Sequence, residues 1–206
     1  MQRENHQPSY IMKTRGTRNN NPLNLRHSAD QWQGARKEQT DKSFVQFESM
    51  SYGYRAAWKT LDSYWKHFKR LRQPFTVRAI ISRWAPPSEN HTDAYVTTVL
   101  RLTSLGGNER LPRPLRGIAI DKLVRLFRAM TTVECGTPYD QVSEEPIWDG
   151  YDLAFPGKRK QRLPQFTANP SDASPFRIET QLGEEPPQQC PPYDEYWYWS
   201  PEAHGV

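Results

Sequence analysis

Apolar residues recur every three to four positions in four stretches of the chain, and this period predicts amphipathic helices. The four predicted helices cover residues 52–71, 76–85, 90–105 and 117–133. Ser51 is the expected N-cap of the first helix, and Thr76 opens the second. Pro74 stops the first helix, Pro86-Pro87 the second and Gly106-Gly107 the third. The pattern therefore predicts a mainly α fold.

The segments around these helices have a different character. Residues 14–48 are rich in loop-forming residues and contain one short extended stretch, 44–47, whose two phenylalanines we assign to one face. Residues 1–13 are expected to form a polar, flexible lead. Residues 156–206 hold nine of the 18 prolines and are expected to be a mostly disordered tail. The predicted organisation is thus one α domain with a minor β element over 14–155, between a lead and a Pro-rich tail.

The tail ends in the aromatic run YDEYWYW, which is unusual for a free tail. Two interpretations stay open: the run packs back on the domain, or it docks on another protein. No stretch is apolar enough for a membrane span, and the first residues lack the apolar core of a signal peptide.

The net charge of +5 conceals an asymmetry along the chain. Residues 1–134 hold 23 Lys and Arg against 11 Asp and Glu (+12), and residues 135–206 hold 5 against 12 (−7). The basic part is suited to a polyanion or an acidic surface, such as a bacterial cell wall or nucleic acid. Because the basic residues are spread over several predicted faces and no nucleic-acid motif is present, nucleic acid is not the expected partner.

The cysteines and histidines do not point to a bound metal. Cys135 and Cys190 are far apart in sequence and are expected to be free thiols in a reducing compartment. No Cys and His spacing resembles a zinc site. We expect neither a metal nor a cofactor.

The segment RGTRNNNPLNLR at 15–26 resembles the opening of a family of phage and prophage virion proteins described as lysozyme-like or lytic-transglycosylase-like. The likeness continues in the same order over residues 32–34, 44–47, 54–57, 80–87, 89–95 and 133–139. It covers about residues 14–155. The resemblance implies a lysozyme-like helical domain that acts on peptidoglycan glycan strands at the cell wall. It also implies a location in the virion, or in the host cytoplasm before release, with other virion proteins as partners of the tail.

A second, more distant likeness is to flagellar-type glucosaminidases and lytic transglycosylases. The order of Asn-rich loop, W-x-G, short strand and long helix is similar to the former, and residues 89–99 are similar to a helix of the latter. Those enzymes carry their catalytic Glu at a helix end before the Asn-rich loop. Here the equivalent pattern, an apolar helix ending in Glu-small-Gly, lies at 130–136. The likeness therefore implies a circularly permuted arrangement in which Glu134 is the acid.

Glycosidic cleavage requires a carboxylic acid that is protonated near neutral pH. A helix C-terminus and an apolar setting would both raise the pKa of Glu134 in this way. Asp41 and Glu38 are the candidates for a second carboxylate, which a hydrolase would need and a lytic transglycosylase would not. The alternative for Glu134 is a solvated helix end with no chemical role.

Further side chains are candidates for substrate binding through amide groups, stacking rings or hydroxyl groups. They are Asn20, Asn21, Asn24, Trp32, Trp84, Glu89, Asn90 and Tyr95. Each has a structural alternative, because Asn caps turns, Glu caps helices and aromatic rings fill cores.

Three functions follow from these observations. The first is a peptidoglycan-cleaving phage domain, either a lytic transglycosylase or a muramidase- or glucosaminidase-type hydrolase. The second is a non-catalytic virion structural or wall-binding protein, and the third is a basic nucleic-acid-binding protein. The first predicts that Glu134 borders a cleft that also contains the loop 19–24.

Overall fold

The computed structural model describes residues 14–88, 90–116 and 119–157. Within these ranges the protein is mainly α-helical, as predicted. The described residues form six helices: α1 Arg15–Arg18, α2 Met50–Arg70, α3 Val77–Trp84, α4 Thr92–Thr103, α5 Ile120–Cys135 and α6 Glu145–Ala154. Short 3-10 turns cover Pro114–Arg116 and Tyr139–Gln141. The predicted lead, the tail with its aromatic run, Cys190 and Glu89 lie outside the described residues.

Side-chain caps define where the first two predicted helices begin. The Ser49 hydroxyl accepts a hydrogen bond from the Tyr52 N–H at 3.4 Å, so Ser49 is the N-cap of α2. The prediction of Ser51 was wrong, because Ser51 already lies in the first turn. Thr76 does cap α3, accepting from the Ala79 N–H at 3.2 Å. An N-cap is defined by one local hydrogen bond. The sequence can therefore identify it correctly, as at Thr76, or miss it by two residues where a second serine lies nearby, as at Ser51.

The ends of α4 and α5 are set by left-handed residues. Ser104 (φ 53°) ends α4, so the assignment of this stop to Gly106-Gly107 was wrong. Helix α5 runs to Cys135, two residues beyond the predicted end, and Gly136 (φ 67°) caps it. Glycine adopts this conformation without steric penalty. As a result, Glu134 lies in the last turn of α5.

The predicted β element is reduced to two isolated bridges, Arg26 with Phe44 and Ala35 with Phe47. The two phenylalanines do not share a face. Phe47 is fully buried, whereas the ring of Phe44 lies under the guanidinium of Arg15 at 4.5 Å. Residues three apart in extended backbone point to opposite sides, so the assignment to one face was wrong.

Helix α6 was not predicted and is part of the main core. The Trp58 ring of α2 packs edge-on against Phe127 of α5 at 4.5 Å and Tyr151 of α6 at 5.1 Å. Its indole N–H donates to the Ile147 carbonyl at 2.9 Å. Pro146 in the first turn suits a helix start, but the ten-residue segment is too short for a convincing period.

A second, smaller cluster attaches the loop region to α2. It consists of Val45, Phe47 and Ala56, with Trp32 packed against it. Within the described segments, no helix has the length and apolar character that a membrane span requires. The loop region and the end of α5 are therefore held on one helical framework, where they meet at the site described next.

Candidate functional site

The side chain of Glu134 is held by two neighbours from distant parts of the sequence. Asn24 Nδ2 donates to Glu134 Oε2 at 2.9 Å and to the Glu134 carbonyl at 3.3 Å. The hydroxyl of Tyr95, from α4, donates to Glu134 Oε1 at 3.0 Å. The structure thus brings together three of the residues singled out in the sequence, one from the loop and two from separate helices.

The site shifts the acid–base equilibrium of Glu134 toward its protonated form. Burial raises the pKa of this carboxyl above its ordinary value, and the hydrogen bonds from Asn24 and Tyr95 oppose the rise without cancelling it. The carboxyl also lies at the negative end of the α5 dipole, which disfavours the ionised form. The residue is half-buried, so part of it stays in contact with solvent.

The donors around Glu134 also limit which of its two oxygens can carry a proton. Both acceptors of the Asn24 amide are oxygens of Glu134, so the amide nitrogen faces them and Oε2 is fixed as an acceptor. A proton on the neutral acid therefore belongs on Oε1. The Tyr95 hydroxyl beside Oε1 can accept that proton's hydrogen bond or donate to the ionised oxygen. Burial, followed by the charge of Glu134, raises the pKa of Tyr95, so the phenol keeps its own proton.

Close approach of α1 to α5 positions Asn24, and this contact was not predicted. A Cβ at Gly16 would lie 2.6 Å from Cys135 Sγ and 3.1 Å from Asn24 Oδ1. Only glycine leaves room there. The Asn24 Oδ1 atom is buried without a hydrogen-bond partner, so the amide is oriented by Glu134 alone. In the sequence, the glycine that follows Arg15 in the opening motif was the signal from which this close approach could have been inferred.

The amide nitrogens of Asn20 and Asn21, the other two candidate asparagines of the loop, bond the backbone. Asn20 Nδ2 donates to the carbonyls of Phe47 and Glu48, both at 3.0 Å. The fully buried Asn21 donates to the carbonyls of Leu25 and Val45. These two amide nitrogens therefore help to shape the loop.

The two candidate second carboxylates are not in the hydrogen-bond shell of Glu134. Asp41 receives two bonds from the Arg15 guanidinium, at 2.7 and 2.6 Å, and one from Asn19 Nδ2 at 2.7 Å. The bond from Arg15 is the largest of the effects that hold the pKa of Asp41 well below its usual range. Glu38 is exposed in the loop. Asp41 is thus an anchor of the loop region rather than a free base.

The two candidate tryptophans occupy different surroundings. Trp32 packs on the small cluster of the loop region. Trp84, at the end of α3, donates from its indole N–H to the Leu23 carbonyl at 3.3 Å and lies edge-on to Tyr64. Trp84 is therefore next to the Asn24 backbone, and Trp32 is not part of that contact.

A surface cleft of about 390 Å³ lies between α3 and the start of α4. Its lining includes Ser82, Asn90, His91 and Ala94, but not Glu134. Asn90 is exposed and donates to the Pro86 carbonyl at 3.3 Å. Glu134 and the loop are in direct contact through Asn24, but this cleft is not the predicted one, because residues of α3, of the segment before α4 and of the start of α4 line it.

Cys135 is a free, buried thiol that donates to the Pro22 carbonyl at 3.3 Å. No group of three or more His, Cys, Asp or Glu side chains with metal-binding geometry occurs in residues 14–88, 90–116 and 119–157.

Comparison with known proteins identifies a phage relative. The chain matches no family model. It is 31% identical over 143 residues to Protein P5 of Pseudoalteromonas phage PM2, an alignment that spans 66% of this chain and 82% of the relative. An alignment of this length and identity shows common descent. The chain therefore belongs to the family of phage proteins that includes PM2 Protein P5.

Proposed function

We propose that this phage protein acts on peptidoglycan and cuts its glycan strands by lytic transglycosylation, with Glu134 as the proton donor. The observation that carries the proposal is the half-buried Glu134 carboxyl, whose pKa is raised and whose two oxygens are oriented by Asn24 and Tyr95. A general acid needs these two properties, a retained proton and a fixed direction.

In the proposed reaction, Glu134 Oε1 donates its proton to the glycosidic oxygen as the bond to the sugar C1 breaks. The resulting carboxylate then accepts the proton of the sugar's 6-hydroxyl, whose oxygen attacks C1 and closes a 1,6-anhydro ring. Glu134 thereby returns to its protonated form. Between the two steps, donors from Tyr95 and Asn24 stabilise the carboxylate.

A single-acid reaction fits the site better than hydrolysis with two carboxylates. Asp41 is occupied by Arg15 and Asn19, and Glu38 lies in the exposed loop. An inverting or retaining hydrolase places a second carboxylate across the scissile bond. We expect Trp84, whose indole N–H donates to the Leu23 carbonyl, to contact a sugar bound near Glu134.

The phage relative supports a place for the protein in the viral life cycle. We propose that the protein is made in the host cytoplasm, associates with the virion and acts at the wall during genome entry or release.

Clearing of purified peptidoglycan in a zymogram tests the proposal. The wild type is expected to clear the wall, and Glu134→Gln to lose at least about 100-fold in rate, because a general acid contributes about that factor or more. Glu38→Gln is the matched control, since it removes one exposed carboxylate, and it should clear like the wild type. The products should carry 1,6-anhydromuramic ends; reducing ends would instead indicate hydrolysis.

A non-catalytic role is the second candidate, and one observation favours it. Both carboxyl oxygens of Glu134 already have partners within the protein, as they would in a purely structural clamp. If neither wild type nor variant clears the wall, catalysis is excluded. Co-sedimentation of the wild type and of Glu134→Gln with insoluble peptidoglycan would then establish wall binding.

A further inference from the structure

Residues 63–88 contain six Lys and Arg and no Asp or Glu. They span the second half of α2, the turn after it and α3. Basic residues spread along a sequence could face in any direction, and they were expected to be dispersed over several faces. Several of them are instead gathered at the C-terminal end of α2.

Cation and ring contacts hold this group together. The guanidinium of Arg113 lies 4.8 Å from the ring centre of Trp65, and Lys69 Nζ lies 5.2 Å from it. One residue earlier in α2, the ring of Tyr64 lies 4.8 Å from the guanidinium of Arg83. Such contacts restrict long basic side chains, so the charges occupy defined positions.

His67 lies among these cations, with Arg70 Nη2 3.4 Å from His67 Nδ1. His67 lies in the same turn of α2 as Trp65 and Lys69. Burial lowers its pKa, and the positive charges of Arg83 and Arg70 lower it further. Cations from α2 and α3 thus act on one imidazole.

One buried acid offsets part of the charge. The side chain of Asp62, 7% exposed, accepts from Arg113 Nε at 2.9 Å and lies 2.9 Å from Lys66 Nζ. Lys69, Arg70 and Arg72 remain exposed at the tip. We define the α2-end surface by five cations, which against Asp62, the acid paired with two of them among the described residues, leave a net charge of +4: Lys66, Lys69, Arg70, Arg72 and Arg113.

We propose that the α2-end surface binds the phosphate backbone of double-stranded nucleic acid without sequence preference. Arginine and lysine groups on a rigid helix end are the usual means of neutralising phosphodiester charges. The Trp65 ring is covered by two cations, which argues against a platform for stacked single-stranded bases.

An anionic membrane is the other phosphate-rich surface to consider. Binding at a bilayer interface requires an apolar face inserted below the headgroups. Leu71, 44% exposed, is the one exposed large apolar residue at this tip among the described residues. The surface is therefore better suited to a polyanionic chain than to a bilayer.

The test is fluorescence anisotropy of the full chain with random-sequence duplex DNA over a series of salt concentrations. The double variant Lys69→Gln/Arg70→Gln is expected to bind more weakly and to lower the slope of log K against log salt by about two, because each cation neutralises about one phosphate. The control Lys37→Gln/Lys42→Gln removes the same charge from exposed positions in the loop and should retain the wild-type slope.

Three results would overturn the proposal. The first is absence of wild-type binding at low salt. The second is loss of binding on neutralising the basic run at 158–162 while the Lys69/Arg70 variant binds normally. The third is co-sedimentation with phosphatidylglycerol vesicles that depends on Lys69 and Arg70, with no such dependence for DNA. Wall clearing by the Lys69→Gln/Arg70→Gln variant should be unchanged. The DNA-binding proposal and the proposed role of Glu134 are therefore tested independently.

Discussion

At the scale of single residues, two acids illustrate how surroundings assign roles to identical chemical groups. Asp41 accepts from a guanidinium, an amide and two backbone N–H groups, and its pKa is lowered. Glu134 accepts from two neutral donors in a half-buried setting, and its pKa is raised. Uncharged donors offset less of the desolvation penalty than a paired cation does.

The raised pKa of Glu134 predicts a pH-dependent effect of Glu134→Gln on stability. The neutral carboxyl stabilises the fold fully below the pKa of an unfolded Glu, and this contribution is lost as pH rises through the folded pKa. Glutamine mimics the neutral acid at every pH. The free energy of unfolding, measured with urea from about pH 4 to about pH 8, should therefore shift in favour of the variant as pH rises.

The stability effect of Asp41→Asn should depend on pH in the opposite direction. Because the pKa of Asp41 is lowered, its contribution is present above the pKa of an unfolded Asp and is lost on acidification. The free energy of unfolding of the wild type should therefore exceed that of Asp41→Asn by the largest amount at neutral pH. A Glu134→Gln difference that does not change with pH would contradict the assigned environment of Glu134.

At the scale of helices, the crossing of α2 and α6 depends on a glycine. A Cβ at Gly150 would lie 2.7 Å from Tyr54 Cβ, 2.8 Å from the Arg55 nitrogen and 2.9 Å from the Ser51 carbonyl oxygen. Two of these atoms belong to the α2 backbone, so a rotamer change cannot relieve the clash. The two helices approach more closely than any other residue would allow.

Gly150→Ala is therefore expected to destabilise the protein. Alanine gains about 1 kcal/mol in helix propensity, but overpacking against backbone costs about 1–3 kcal/mol or more, so a net loss is expected. Gly107→Ala is the matched control, because its Cβ would meet only Leu100 Cδ1 at 3.4 Å. Chemical denaturation of both variants checks this, and an equal or higher midpoint for Gly150→Ala would refute the close crossing.

At the scale of the whole molecule, α6 completes the core. The fully buried Ile147 and Tyr151 belong to it, and Trp58 donates to the carbonyl of the first and packs on the ring of the second. Removing α6 exposes the Trp58 ring and leaves its indole N–H without this acceptor. The domain should not form a fixed core without it.

Truncation tests this expectation. A chain of residues 1–157 should show near-UV circular dichroism and a cooperative thermal transition, whereas residues 1–143 should lack both, because the fully buried side chains of α6 are missing. Both truncated chains lack the tail, which controls for its removal. Cooperative unfolding of the shorter chain would show that α6 is accessory.

The sequence by itself determined the features that depend on near neighbours. Helical period predicted α2 to α5, a threonine hydroxyl fixed the start of α3, and the opening motif indicated a phage protein family. The tertiary structure decided what depends on packing between distant segments. It brought Asn24 to Glu134 across 110 positions, paired Asp41 with Arg15, added α6 to the core and collected cations at the end of α2. Periodicity records which face of a helix is buried, but not which partner buries it, and the roles of these side chains depend on that partner.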